Sequence, residues 1–270
     1  ALFERLEFSR LLRRVRGDAQ AAAAPGAQTS APVAPQSSVR YETVLTLEQL
    51  ERWCAKIAAA PLVALDTETT SLAYMRAEIV GISLAVEPGE AAYIPLSHRY
   101  PGAPDQLNRE ATLARLKPWL ESTAPKVGHH SKYDAHVFAN HGIALRGVAN
   151  DTMLESYVLN SVATRHDMDS VAALYLGVTT VKYEDVTGKG AKQIGFDQVD
   201  LDTATRYAAE DADVALKLHG VLWPKLRAEP DLERVYTEIE LPLVRVLEQM
   251  ERVGVQVDAR LLREQSQIGR

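Results

Sequence analysis

The 270-residue sequence contains a single cysteine, Cys54. That excludes an intramolecular disulfide and a zinc site built from cysteines, and it fits a reducing compartment such as the cytoplasm. Cys54 lies in a helical pattern and reads as a buried structural thiol. No apolar run reaches the length that crosses a membrane, and no segment reads as a secretory signal. Positive charge is not in excess either: the formal net charge is −6. That argues against a broad basic nucleic-acid face, unless bound cations reverse the sign locally. No internal repeat is found. The glycine-rich GKGAKQIG (188–195) is not a phosphate-binding P-loop, because the Gly-Lys-Ser/Thr ending is missing. What remains is an ordinary composition, 46% hydrophobic and 24% charged, enough for one sizeable core or two small ones.

Residues 1–17 pattern as an arginine-rich amphipathic helix with no capping residue before it, as though continuing from something larger. Residues 18–40 are dominated by Ala, Pro, Gly, Ser and Gln, and read as a flexible linker able to span roughly 25 Å. From Tyr41 the pattern becomes regular. Thr46 and Gln49 have capping-box spacing ahead of a helical stripe. PLVALD (61–66) reads as a buried strand. EIVGISLAV (78–86) and AAYIPL (91–96) form a hairpin around PGE. A helix is expected over 109–122, a short strand over 126–129, and a helix over 131–142 with Ser131 as N-cap and Gly142 as stop. Two helices follow over 151–161 and 166–177, then a polar, glycine-punctuated loop (181–200). A long helix (201–226) and a last helix (231–254) complete the chain. The fold class this predicts is α/β, a mixed central sheet with helices packed on it.

Within LDTETTSL (65–72), Asp66 and Glu68 are two residues apart at the end of the expected strand, so their side chains share a face. Two carboxylates about 4 Å apart repel by about 1 kcal/mol in water and roughly 4 kcal/mol at an effective dielectric near 20. An arginine, a shared proton or a cation must offset that. A plainer alternative has Asp66 capping the turn after the strand, with Thr67, Thr69 and Thr70 bonding its backbone.

Two further acids widen the choice. Asp134 lies in the first turn of a helix, where it could simply favour the positive N-terminus. Asp211 lies mid-helix, either as a functional group or as one of the solvated acids Glu210, Asp211 and Asp213. Tyr207, four residues earlier, projects from the same helical face. Asp and Glu without a Cys or His pattern form a hard-oxygen donor set suited to Mg²⁺ or Mn²⁺. Two such ions about 4 Å apart can clamp the attacking and leaving oxygens of a phosphoryl displacement.

At this point a resemblance becomes specific. LVALDTETTSL, VGHHSKYDAHVFANHGI with DTMLESYVLNS after it, and YAAEDADVALKLH resemble the three motifs of the proofreading 3′→5′ exonuclease domain of bacterial DNA polymerase I (family A). That domain is a member of the tyrosine branch of the DEDD superfamily, and the resemblance implies a ribonuclease-H-like fold over residues 41–227. FERLEFSRLLRR (3–14) resembles the end of a preceding 5′-nuclease region, so 1–17 is expected to be its last helix. Residues 228–270 resemble the helical start of a polymerase region. The resemblance implies two Mg²⁺ ions, for which Mn²⁺ can substitute. Asp66 would bridge them, Glu68 and Asp211 would complete the tighter site, Asp134 would hold the second ion, and Tyr207 would orient the attacking water. An ordinary tyrosine pKa near 10 makes it a poor base. The product implied is a nucleoside 5′-monophosphate, released from a single-stranded or frayed 3′ end of DNA.

For DNA contacts the resemblance points to Leu72 as an apolar wedge at the terminal base and to Phe196 as an aromatic packing on the frayed strand; each could instead be a core residue. Arg165, and less so Lys189 and Lys192, could meet phosphates. His129 and His130 stand where amides are expected, but a histidine can still donate to a phosphate. His166 reads as a helix-start residue. The resemblance also implies a monomer in the bacterial cytoplasm at the nucleoid, with covalently linked polymerase and 5′-nuclease domains and no membrane. Rival readings are a catalytically silent scaffold domain, an exoribonuclease of the same superfamily, and a small-molecule phosphohydrolase.

Overall fold

The computed structural model describes residues 39–268. The expected helix over 1–17 and nearly all of the expected linker lie outside them.

The centre of the fold is a strand that both faces bury. β2 (Val63–Thr69) pairs antiparallel with β3 (Ile79–Glu87), and β3 pairs antiparallel with β4 (Glu90–Pro95). The hairpin expected around PGE is therefore present. β5 (Lys126–Gly128) joins β2 in parallel, and β6 (Val148–Asp151) joins β5 in parallel. β1 (Arg40–Thr43) pairs parallel with β4 at the far edge, and the six-stranded order is β1-β4-β3-β2-β5-β6. β1 and β6 were not apparent from the sequence. They are edge strands of four residues each, too short and too polar to show an alternation.

Alternation along β2 assigns its two faces. Val63 and Leu65 enter the main core with Leu50, Trp53 and Ile57 of α1 (Leu47–Ala59), with Leu113 and Leu116 of α2 (Arg109–Leu120), and with Val137 and Phe138 of α3 (Ser131–Asn140). The Thr46–Gln49 capping box starts α1 as expected. Cys54 is half-buried on α1 and packs beside this core. Ala64 points to the other face, where it meets Ala209 and Ala212 of the long helix α7 (Leu201–Arg227). Alanines on both surfaces let that helix lie close against the sheet.

Three local expectations are corrected. Ser131 does not cap α3: it is the first helical residue, and the cap is the Asp151 carboxylate at the end of β6. Asp151 accepts from the N–H of His130 at 3.1 Å and of Ser131 at 2.7 Å, and also from Met153 N–H at 3.0 Å at the start of α4 (Thr152–Leu159). One buried carboxylate thus serves two helix N-termini. The loop 181–200, which follows α5 (Met168–Tyr175), is not merely polar and loose. It contains α6 (Tyr183–Thr187) and two short 3₁₀ turns, and it buries Thr187, Phe196 and Asp197. The last helix is not continuous: α8 (Pro230–Val235) passes through a π-helical turn, Tyr236–Glu240, into α9 (Leu241–Val253). Pro242 lacks an N–H and its ring would clash with the carbonyl four residues back, a conflict the wider turn relieves. The turn drives Tyr236 fully into the interior, where its hydroxyl accepts from Asp151 N–H at 2.9 Å. A further helix, α10 (Ala259–Ile268), follows. No helix among the described residues is long and apolar enough to cross a membrane.

Candidate active site

β2 runs through Thr69, so Asp66 and Glu68 are interior strand residues rather than the strand's end, opposite Ser83 and Gly81 of β3. They share the face turned toward α7, as period two requires. Asp211 reaches them from α7: ligand oxygens of Asp66, Glu68 and Asp211 lie within 4.8 Å of one another. Thr67 and Thr69 point the other way, toward α3. Thr67 Oγ1 donates to Asp134 Oδ1 at 2.6 Å, and Thr69 meets the Tyr133 hydroxyl. This brings Asp134, still in the first turn of α3, to the same cleft as the other three acids.

Glu68 and Asp134 are buried, at 7% and 3% exposure. No lysine, arginine or histidine among the described residues forms an ion pair with Asp66, Glu68, Asp134 or Asp211. Burial therefore pushes the Asp66 carboxyl up to about 6. Burial, then the charges of Asp66, Asp211 and Asp134, pushes Glu68 well above the carboxylate range. Burial and then Asp66 do the same to Asp134 and Asp211. The Tyr207 phenol is pushed far up by burial and then by Asp211, Glu68 and Asp66, so it stays protonated.

The floor of the site is shaped for these acids. A Cβ at Gly81 would come within 2.3 Å of the Tyr93 ring, so only glycine fits opposite Glu68. Tyr93 is itself fixed by donating to His98 Nε2 at 2.8 Å, while His98 Nδ1 donates to Val199 O at 2.9 Å. The Ser83 hydroxyl is buried opposite Asp66 and faces its carboxylate. Four carboxylates, Glu68 and Asp134 buried and Asp66 and Asp211 half-buried, with no cation from the protein, fit a hard divalent metal ion.

Around them opens a cleft of about 450 Å³. Leu72 stands at its rim, 90% exposed. His130 also lines it, in the left-handed region at φ 69°. The other expected DNA contacts are corrected or lie elsewhere. Phe196 is fully buried, wedged among Tyr93, His98, Tyr183 and Tyr207, so it is a core residue that backs the site. His129 lines the cleft but has both ring nitrogens occupied: Nε2 donates to His166 O at 3.0 Å and Nδ1 meets Thr152 Oγ1 at 2.8 Å. Burial lowers its pKa, so it is a neutral brace rather than a phosphate donor. His166 does more than start a helix. Its φ of 63° aims that carbonyl at His129, while its own Nδ1 meets Ser156 Oγ at 2.9 Å. Arg165 pairs with Asp167 at 3.0 Å and Lys189 with Glu184 at 2.7 Å, both away from the cleft lining.

The residue missed in the sequence is Tyr183. It lines the cleft with its ring stacked on Phe196, centroids 6.2 Å apart and planes at 17°. It is the other aromatic of the 181–200 loop, and that was the available signal.

A family model described as 3′-5′ exonuclease matches residues 41–227. The chain belongs to that family. Among curated proteins the exonuclease chain is similar to DNA polymerase I of Pseudomonas aeruginosa, 53% identical over 98% of this chain and 29% of that protein. It is also similar to DNA polymerase I of Rhizobium leguminosarum, 43% identical over 82% of this chain and 23% of that one. It thus spans less than a third of the length of these relatives. Two solved structures share the ribonuclease-H-like fold. Escherichia coli RNase D matches with a TM-score of 0.56 at 23% identity, over 78% of this chain and 51% of that one. The polymerase domain of Pol1 from M. smegmatis matches with a TM-score of 0.65 at 23% identity, over 82% of this chain and 34% of that one.

Proposed function

We propose that this exonuclease domain hydrolyses the 3′-terminal phosphodiester of DNA, one nucleoside 5′-monophosphate at a time, as the proofreading part of a DNA polymerase I. The observation that carries this is the convergence of four unpaired carboxylates and a protonated tyrosine, from β2, α3 and α7, in one cleft. Asp66, Glu68 and Asp211 are the residues to hold one divalent ion. Asp134, with Asp66, would hold a second. When bound, the pair of ions supplies Lewis-acid stabilisation of the phosphoryl group and lowers the pKa of the attacking water. Mg²⁺ is the ion proposed, with Mn²⁺ able to substitute.

The protein's own part is placement. Tyr207 keeps its proton, so it orients the water through its hydroxyl and does not act as the base. Leu72 and the Tyr183 ring flank the cleft, and together they can hold an unstacked end by apolar contact and base stacking, which tolerate any sequence. His130 is left as the histidine that can reach a phosphate. The silent-scaffold reading is disfavoured because no carboxylate of the set is missing. The polymerase relatives favour DNA over RNA. In the whole protein we assign 1–17 to the end of a 5′-nuclease region, 18–40 to a linker and 228–270 to the start of the polymerase. The molecule would then be a monomer working at the bacterial nucleoid.

The deciding experiment incubates the chain with a 5′-labelled single-stranded DNA oligonucleotide, and with its RNA counterpart, in Mg²⁺ and in EDTA. A DNA ladder shortening from the 3′ end only in Mg²⁺ is expected. A folded protein that leaves DNA intact would overturn the reading in favour of a scaffold, and preferential shortening of RNA would favour the exoribonuclease.

Two substitutions separate the roles. Tyr207→Phe should slow cleavage about tenfold, the worth of one lost orienting hydrogen bond, while Mg²⁺ binding by titration calorimetry is unchanged. Tyr183→Ala should raise the KM for single-stranded DNA about tenfold through lost stacking, with little change in melting temperature. Phe196→Ala should do the reverse, losing about 3–5 kcal/mol of stability as a large core truncation. If Tyr183→Ala binds DNA normally, the stacking role is wrong.

A further inference from the structure

Helix α9 is fastened to the exonuclease domain through two adjacent residues near its C-terminal end. Glu251 accepts from Lys132 Nζ at 2.5 Å and from His136 Nε2 at 2.7 Å. Arg252 Nη2 donates to Asn140 Oδ1 at 3.0 Å, and its Nη1 lies 3.8 Å from Met75 Sδ. Lys132, His136 and Asn140 recur every four residues, so they form one stripe along α3. Asp134, two positions from Lys132 and from His136, is carried on the opposite side, into the cleft. α3 is thus held from behind while its front presents a carboxylate.

The same contacts reach the loop between β2 and β3. His136, only 1% exposed, stacks on Tyr74 with centroids 4.5 Å apart. Asn140 Nδ2 donates to Tyr74 O at 2.7 Å and to Ala77 O at 3.0 Å. At the loop's other end the Tyr133 hydroxyl donates to Ser71 O at 2.9 Å. Between these anchors sits Leu72, the exposed residue at the cleft rim. A polar path therefore runs from α9, through His136 and Asn140, to the backbone that carries Leu72. Isolated surface ion pairs contribute little, but Glu251 closes on a buried imidazole and Arg252 on the Asn140 amide that bonds the loop carbonyls, where a lost partner is felt.

We propose that Glu251 and Arg252 are positioning residues for the exonuclease reaction: they set the Leu72 loop, and with it the grip on the 3′-terminal base. The proposal rests on the exonuclease reading of the cleft. Because α9 lies beyond residues 41–227 that match the family, it makes a segment outside the domain responsible for how tightly the domain holds an end.

The test uses the 270-residue chain carrying Arg252→Ala, Arg252→Lys or Glu251→Gln. Each is assayed on a single-stranded DNA oligonucleotide and on bis(p-nitrophenyl) phosphate, a phosphodiester that carries no base for the Leu72 loop to grip. Amide hydrogen exchange over 70–78 is measured in parallel. Arg252→Ala should raise the oligonucleotide KM about fivefold, as loss of a charge-assisted hydrogen bond does. Its kcat and its turnover of the ester should stay near wild type, and exchange over 70–78 should quicken. Arg252→Lys should recover part of the KM. An unchanged KM with unchanged exchange would overturn the proposal, as would an equal loss of kcat on both substrates, which would mean a site damaged as a whole. A folded wild-type chain that digests no DNA overturns the exonuclease reading instead; exchange over 70–78 unaltered by Arg252→Ala would then remove the loop restraint too.

Discussion

Asp66→Ala should reduce 3′→5′ cleavage of single-stranded DNA by about a thousandfold or more, since even the outer partners of metal ligands are worth about 10–100-fold. The fold should survive. Asp66 lies among Glu68, Asp211 and Asp134 with no positive side chain paired to it. Removing it relieves repulsion instead of stranding a partner, in contrast to breaking a buried ion pair. In EDTA the melting temperature of the variant should therefore equal or exceed that of wild type, while its response to added Mg²⁺ should largely vanish. Gel assays of cleavage and thermal melts with and without Mg²⁺ check both halves. Near-native turnover in Mg²⁺ would falsify the bridging role.

The second large effect is a stability that depends on pH and metal together. An unfolded chain releases its carboxyl protons near pH 4. The folded chain keeps the Asp66 proton to about pH 6, and those of Glu68, Asp134 and Asp211 beyond their ordinary range. Across that interval the folded state binds more protons than the unfolded one, so stability falls as pH rises. Below pH 4 both states are protonated, so the slope vanishes and the stability stands at its full value. In EDTA the melting temperature should drop by about 5 °C or more between pH 5 and pH 8. Mg²⁺ should restore it, and restore most at pH 8, where the acids are charged and metal binding competes least with protons. Glu68→Gln should flatten the EDTA profile. A melting temperature in EDTA that stays level or rises from pH 5 to 8 would show that the acids are paired by something other than a cation.

Much of this site could be read before any coordinates, and the reason is local geometry. A strand repeats every two residues, so Asp66 and Glu68 had to share a face once VALDTET was a strand. A helix repeats every 3.6 residues, so Tyr207 and Asp211 had to lie one above the other. Spacing alone also prescribed the Thr46–Gln49 cap and the hairpin around PGE. With the resemblance of its motifs, the chain's place among 3′-5′ exonucleases was legible too.

Other features depend on what lies opposite a residue, which no periodicity encodes. Phe196 and Tyr183 are both aromatics of one polar loop, yet the first is sealed beneath the second. Which ring faces the cleft is decided by how the loop folds against α7 and the sheet. His129 looked like a phosphate donor until the carbonyl of His166, thirty-seven positions away, occupied its Nε2. Ser131 has the chemistry of an N-cap, but Asp151 from a neighbouring strand takes that place. Composition, strand and helix faces and the acids themselves were therefore determined by the sequence alone, because they follow from bonds between near neighbours. The meeting of α3 with β2 and α7, the choice of Tyr183 over Phe196, and the fastening of α9 to the Leu72 loop were decided only by the tertiary structure. Each joins residues far apart in the chain, and which of them meet is set by the packing of the sheet and its helices.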